Sequence, residues 1–140
     1  MQPDEPALFL SLRPRFAELL LSGRKTIELR RMRPSVTEGA TVLLYASSPT
    51  MTLVGRAEVA AVHVGDIEKI WRQHGSETGV SRGEYKSYFE GLDQAVAIEL
   101  VNIRRLKRPR PLEDLRNQLA GFQPPQSYRY LDSSQVAALV

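Results

Sequence analysis

The sequence has no cysteine. That excludes a disulfide scaffold and any thiolate metal site, fits a reducing compartment, and makes the cytoplasm the expected location. Histidine is scarce as well: His63 and His74 are the only two, and they fall in different expected elements. Without thiolates a zinc site would need carboxylates at unusual spacing, so neither a metal nor a cofactor is expected. His63 reads as an ordinary strand residue, and His74 favours the dipole at a helix C-terminus. The nine glycines are scattered; none builds G-x-G-x-x-G or G-x-x-x-x-G-K-[ST], so a glycine-rich phosphate loop is excluded. There is no G-x-S-x-G elbow and no helix-turn-helix pair with a basic second helix. Long apolar runs are missing too. The first one, Leu8 to Leu12, has five residues, far too short for a signal-peptide core or a membrane span.

What is present is ordinary in amount and uneven in placement. A chain of 140 residues, 42% hydrophobic and 25% charged, is large enough for one real core and has the composition of a soluble globular protein. The net charge of +3 hides a gradient. Residues 1–53 carry seven Arg/Lys against five acids, residues 54–100 five against eight, and residues 101–140 seven against three. If the two basic ends meet in the fold, they present a surface for an anionic partner.

Apolar periodicity outlines the elements. Residues 8–12 read as a strand, Pro14 opens a short helix with Phe16, Leu19 and Leu20 on one face, and Gly23 is its left-handed stop. Residues 41–46 (TVLLYA) form a buried strand. Residues 51–64 alternate as one long strand or as a bent pair interrupted at Gly55. Asp66 caps a helix with an Ile67, Ile70, Trp71 stripe. Ser81 and Glu84 form a capping box for the next helix, which accounts for Glu84 more simply than an acid/base role does. A strand at 95–103, a basic loop at 104–110 (RRLKRPR), a short helix near 112–119 and a strand-like QPPQSYRYL segment follow. Short strands broken by helices, without regular strand–helix–strand alternation, argue for an α+β fold: a small curved sheet or barrel flanked by short helices.

Four segments are candidates for function. In GRKTIELRR (residues 23–31), Ile27 and Leu29 alternate with Thr26, Glu28 and Arg30, so a half-buried strand carries polar groups on one face. Lys25, Glu28 and Arg30 form either a ladder on an exposed edge or a site offering cations and an acceptor to a polar ligand. Tyr45, Ser47 and Ser48 end an apolar strand, where binding loops tend to sit, although Ser-Ser-Pro is also turn chemistry. Tyr128, Arg129 and Tyr130 combine stacking rings with a cation; the rings serve equally well as core. The basic run at 104–110 suits a nucleic-acid backbone or a solvated loop.

These residues resemble a known family. Gly23, Lys25, Glu28 and Arg30 spell G-x-K-x-x-E-x-R, the signature of the ASCH domain, a PUA-like fold. LSLRPRFAELLLSGRKTIELRR, YASSP, SRGEYKSYFEG and PPQSYRYL resemble a stand-alone ASCH group in the same order, over residues 8–131. The resemblance implies one domain at 5–131 with 132–140 as a tail or short helix. It also implies a small PUA-like β-barrel with flanking helices and a cleft lined by the signature strand. Family members bind RNA or nucleobase-containing ligands, and some are described as transcriptional regulators with an added helix-turn-helix, which is not visible here. One branch hydrolyses acetylcytidine with a lysine, a threonine three residues later and a distant glutamate; Lys25 matches, but Glu28 stands at the threonine position, and Glu84 is the candidate for the distant acid. Another branch cleaves single-stranded RNA with a divalent metal.

The expected function is therefore binding of RNA or a modified nucleoside by Lys25, Glu28, Arg30, Tyr45, Ser47, Ser48, Arg129 and Tyr130. The alternative is a hydrolase, either an amidohydrolase on acylated cytidine or a ribonuclease, using Lys25 and Glu28. A purely structural charge ladder is the third reading. No membrane partner is expected.

Overall fold

The protein is described from a computed structural model that covers residues 5–140; the start of the acidic opening segment, residues 1–4, lies outside the described residues. Six strands form one sheet in the order β2-β5-β4-β3-β1-β6, curled strongly into a half-barrel. β1 (Ala7–Leu12) is buried along its whole length. It pairs parallel with β3 (Thr41–Ala46) and antiparallel with β6 (Tyr128–Leu131). β4 (Thr52–Asp66) and β5 (Gln94–Pro111) are the long strands, antiparallel to each other with register shifts at three places. Such bulges raise local twist, and they let two long strands wrap instead of lying flat. β2 (Ile27–Arg30) pairs only with β5, so β2 and β6 are the two sheet edges.

The inner face of the curl holds Leu8, Leu10, Val42, Leu44, Val59 and Ile98, closed from one side by Ala17 and Leu20 of α1 (Pro14–Leu21). Two further clusters cover the outer face. α2 (Ile67–His74) and α3 (Arg82–Tyr88) pack Ile70 and Tyr85 onto Ile27 and Leu29. α4 (Leu112–Gln118) and α5 (Ser133–Leu139) pack Leu115 and Leu139 onto Phe9, Leu43 and Tyr45. Between these two helical layers Asn102 and Arg104 of β5 are exposed, and Arg56 and Glu58 of β4 are partly exposed.

Several local expectations are met and others change. The caps at Asp66 and Ser81 are formed, including both halves of the Ser81–Glu84 box, and Gly23 has φ +81. Residues 51–64 resolve into one strand, with a register shift at Gly55. There α1 comes so close that a Cβ would sit 2.7 Å from Leu21 Cδ2 and 2.9 Å from the Arg104 carbonyl. The expected half-exposed β2 is buried at all four positions, because α3 covers one face and the barrel mouth the other. The basic run 104–110 is a strand, not a loop: Arg104 and Arg105 pair with Arg56 and Gly55, and Arg110 with Leu53. Pro109 is tolerated because residues 106–109 fall in the gap where β4 has no partner for them.

Residues 132–140 are a helix rather than a tail, with Asp132 and Gln135 forming a reciprocal cap. Leu139 is fully buried against the outer cluster. Replacing Leu139 with Ala is therefore expected to lower the unfolding free energy by about 2–5 kcal/mol, read from urea denaturation; an unchanged midpoint would show that α5 does not dock.

Candidate functional site

Strand alternation sends Ile27 and Leu29 outward under α3, and it sends Glu28 and Arg30 to the opposite face, directly across from Ile98 and Val96. That face opens at the seam between the two sheet edges. Arg30 crosses the seam. Its Nη2 donates to the Ser11 carbonyl of β1 at 3.1 Å and its Nη1 to Ser127 Oγ, just before β6, at 2.8 Å. Behind it, Nε and Nη2 both donate to Glu28 Oε2, at 3.0 and 2.5 Å. The other oxygen, Oε1, lies 3.2 Å from Lys25 Nζ. Lys25 in turn donates to the Thr78 carbonyl at 2.6 Å, and its ammonium stands 5.0 Å from the Phe16 ring centroid.

All three charged side chains are buried, Lys25 to 2% exposure. Burial pushes the Lys25 ammonium below its ordinary value, and the Glu28 carboxylate opposes that shift only in part. The cross-strand ladder considered from the sequence is thus not solvated; it is an internal ion triad with hydrogen bonds to three separate segments. A buried pair of this kind is costly to break, because removing one member leaves a charge without compensation.

The triad forms one wall of a cleft of about 1120 Å³. Lys25, Glu28 and Arg30 all line it, together with Arg13 and Phe16 of the α1 end, Arg31 and Met32 after β2, Tyr88 of α3, and Ser127 and Tyr128. Tyr88 is tied in place by its hydroxyl, which donates to the Leu29 carbonyl at 3.3 Å, and by Arg31, which donates to the Tyr88 carbonyl at 2.8 Å. Burial raises the hydroxyl pKa of both Tyr88 and Tyr128, so both stay protonated donors at neutral pH. Glu84 stands on the rim with both oxygens engaged: Oε1 accepts from the Ser81 amide at 3.0 Å and Oε2 from Arg15 at 2.7 Å. Those two contacts bring its carboxyl down to about 2.

The other candidates from the sequence lie elsewhere. Tyr45 points to the outer face, packs on Phe9 at 5.5 Å between ring centroids and is buried. Ser47 gives its amide to the Leu12 carbonyl at 2.8 Å, and Ser48 is exposed in the following turn. Arg129 covers Phe122 at 5.1 Å, and the Tyr130 hydroxyl accepts from the Ser35 amide at 2.8 Å. None of these five lines the cleft. Conversely, Ser11, Ser127, Thr78 and Tyr88 belong to the site without having been singled out. Nothing in spacing links Ser11 or Ser127 to Arg30; only the curl of the sheet brings them together.

A resident cation does not fit this donor set. Among the described residues no group of three or more His, Asp or Glu is placed to hold a metal, and both cleft carboxylates are already engaged by cations. No helix among the described residues is long and apolar enough to cross a membrane.

Comparison with known proteins shows the family and the fold. A family model described as the ASCH domain matches residues 10–110. The ASCH domain-containing ribonuclease of Zymomonas mobilis subsp. mobilis is 36% identical over 138 residues, spanning 99% of this chain and 93% of that protein. The crystal structure of ASCH from Zymomonas mobilis superposes with a TM-score of 0.90 at 35% identity, covering 95% of this chain and 92% of that one. The N-terminal domain of Staphylothermus marinus McrB shares the fold alone, with a TM-score of 0.62 at 13% identity over 95% of this chain and 92% of that one.

Two outcomes test the triad. Glu28→Gln leaves two buried cations facing a neutral amide and is expected to cost about 3–5 kcal/mol in urea unfolding at neutral pH; a loss below about 1 kcal/mol, the size of an exposed pair, would show that the triad is solvated. The second outcome concerns pH. Because the Lys25 pKa is lowered from 10.5 in the folded protein, the unfolded chain keeps that proton to higher pH. Stability due to Lys25 therefore rises with pH between the folded value and 10.5. Lys25→Met should flatten that rise when the unfolding free energies of the two proteins are compared across pH.

Proposed function

The chain belongs to the ASCH domain family, and on that premise we propose that it binds single-stranded RNA in the cleft and cleaves it there. The observation that carries this reading is likeness to a protein named as a ribonuclease along 99% of this chain. The geometry supports it. The cleft has room for more than one nucleotide. Tyr88 and Tyr128 offer ring faces for unstacked bases. Arg13 and Arg31 are exposed on the rim without a carboxylate partner among the described residues, so their charge is not neutralised there, although Arg31 Nη1 is engaged by the Tyr88 carbonyl.

In this reading Lys25 is the residue that moves a proton. Desolvation makes its neutral form more accessible than in a free lysine. In this reading neutral Nζ takes the proton of the attacking hydroxyl as the new O–P bond forms. The P–O5′ bond breaks and the departing oxygen takes a proton from water. Glu28 and Arg30 position Lys25 and do not themselves touch the reacting atoms. A pure binding module, the leading expectation from sequence, uses the same cleft without this step. The amidohydrolase alternative loses ground, since the position three residues after Lys25 presents a carboxylate held on both oxygens instead of a hydroxyl.

The test is turnover of a labelled single-stranded RNA by the purified protein. Lys25→Met should lower the rate by about 100-fold or more with an unchanged circular dichroism spectrum. Tyr88→Ala, a change at a partly exposed ring, should weaken RNA binding by about ten-fold or more as its stacking surface is removed. Full activity in Lys25→Met would place the chemistry at another site, and tight binding without turnover by the parent protein would return the binding-module reading.

A further inference from the structure

The β4–β5 part of the sheet between the two helical layers carries a concentration of cations that the cleft does not use, with the nearby Glu58 carboxylate accepting from Asn102 Nδ2 at 2.6 Å. Arg56 of β4 and Arg104 of β5 are direct cross-strand partners. Like charges directly opposite each other destabilise a sheet pair, and no carboxylate is within ion-pair distance of either among the described residues. The Nε of Arg56 is buried with no hydrogen-bond partner. Further along the same strand Lys107 and Arg108 are exposed and Arg110 is half-buried. None of the three makes an ion pair among the described residues; of the whole basic run only Arg105 does, with Glu18 at 2.5 Å. Lys107, Arg108 and Arg110 also line a shallow groove of about 300 Å³ beside Val140, separate from the cleft.

A solvated loop would let such charges spread apart. Here paired backbone holds Arg56, Arg104 and Arg110 in place against mutual repulsion, and Lys107 and Arg108 stand on the short unpaired stretch of the same strand between them. That arrangement is stabilised by a ligand carrying regularly spaced negative charges and little else to recognise. We propose that this β4–β5 face is a second contact for the RNA backbone, tracking phosphates of a strand whose reactive segment lies in the cleft. The inference rests on the RNA reading of the cleft and adds to it. It assigns Arg56, Arg104, Lys107, Arg108 and Arg110 a role in holding long RNA, with no part in the chemical step.

The experiment compares binding of two 2′-O-methyl oligouridylates, about four and about sixteen nucleotides long, by the full chain and by a Lys107→Gln, Arg108→Gln, Arg110→Gln variant. Affinity is measured across salt concentrations. The variant is expected to bind the short oligonucleotide as the parent does. Its affinity for the long one should fall by about ten-fold or more at low salt, with a salt slope shallower by about 2, which is roughly 0.7 for each phosphate that is no longer neutralised. These are surface changes, and an Arg108→Lys variant, which keeps the charge, should behave as the parent. Equal slopes for parent and variant on the long oligonucleotide overturn the second contact alone. No salt-dependent binding of either oligonucleotide by the parent overturns the RNA reading and this inference together. Loss of binding to anionic lipid vesicles, with RNA binding unchanged, would make the face a membrane contact and overturn the inference.

Discussion

One carboxylate between two buried cations organises this protein. Glu28 accepts from Lys25 on one oxygen and from Arg30 on the other, and each cation reaches on to a different part of the chain. Lys25 ties the triad to the Thr78 carbonyl beside α2, and Arg30 ties it to β1 and to the start of β6. Because β2 and β6 are the sheet edges, the Arg30 contacts join what backbone pairing leaves apart. The half-barrel is thereby held partly open at one place, with charged side chains spanning the gap where a ladder of amides would otherwise close it.

This explains why so much charge is tolerated in the interior. An isolated buried Lys, Glu or Arg would be too costly to keep ionised. Together they satisfy one another, and the leftover donors go to backbone carbonyls and a serine hydroxyl. The residual imbalance falls on Lys25, whose ammonium burial destabilises more than Glu28 restores. Well-packed hydrophobic residues in place of a buried ion pair are often neutral or stabilising. What a hydrophobic seam would lack is a polar wall facing a wide cleft, with a lysine that yields its proton more readily than usual.

The sequence carried the fold further than it carried the site. The period-2 pattern of GRKTIELRR, the Pro14 and Gly23 boundaries and the Ser81–Glu84 box are local rules, and local physics obeys them. Lys25, Glu28 and Arg30 could be grouped because strand alternation and short spacing keep them close. Their burial could not be read, since it depends on α3 and on the curl of distant strands. Tyr45 shows the converse: hydroxyl chemistry at a strand end resembles a binding position, but β3 turns that ring to the outer face against Phe9. Ser11 and Ser127 enter the site only because β1 and β6 are neighbours in space. RRLKRPR reads as a loop because Pro109 interrupts it, and a gap in the β4 pairing is what admits that proline.

The RNA reading stands or falls on where the nucleic acid lies. The most direct measurement is a crystal structure of the protein with an uncleavable single-stranded oligonucleotide. At least one base is expected to stack on Tyr88 or Tyr128, with a backbone phosphate or its adjoining hydroxyl facing the Lys25 side of the cleft. An oligonucleotide bound elsewhere, with the cleft empty and the Lys25–Glu28–Arg30 contacts unchanged, would contradict it.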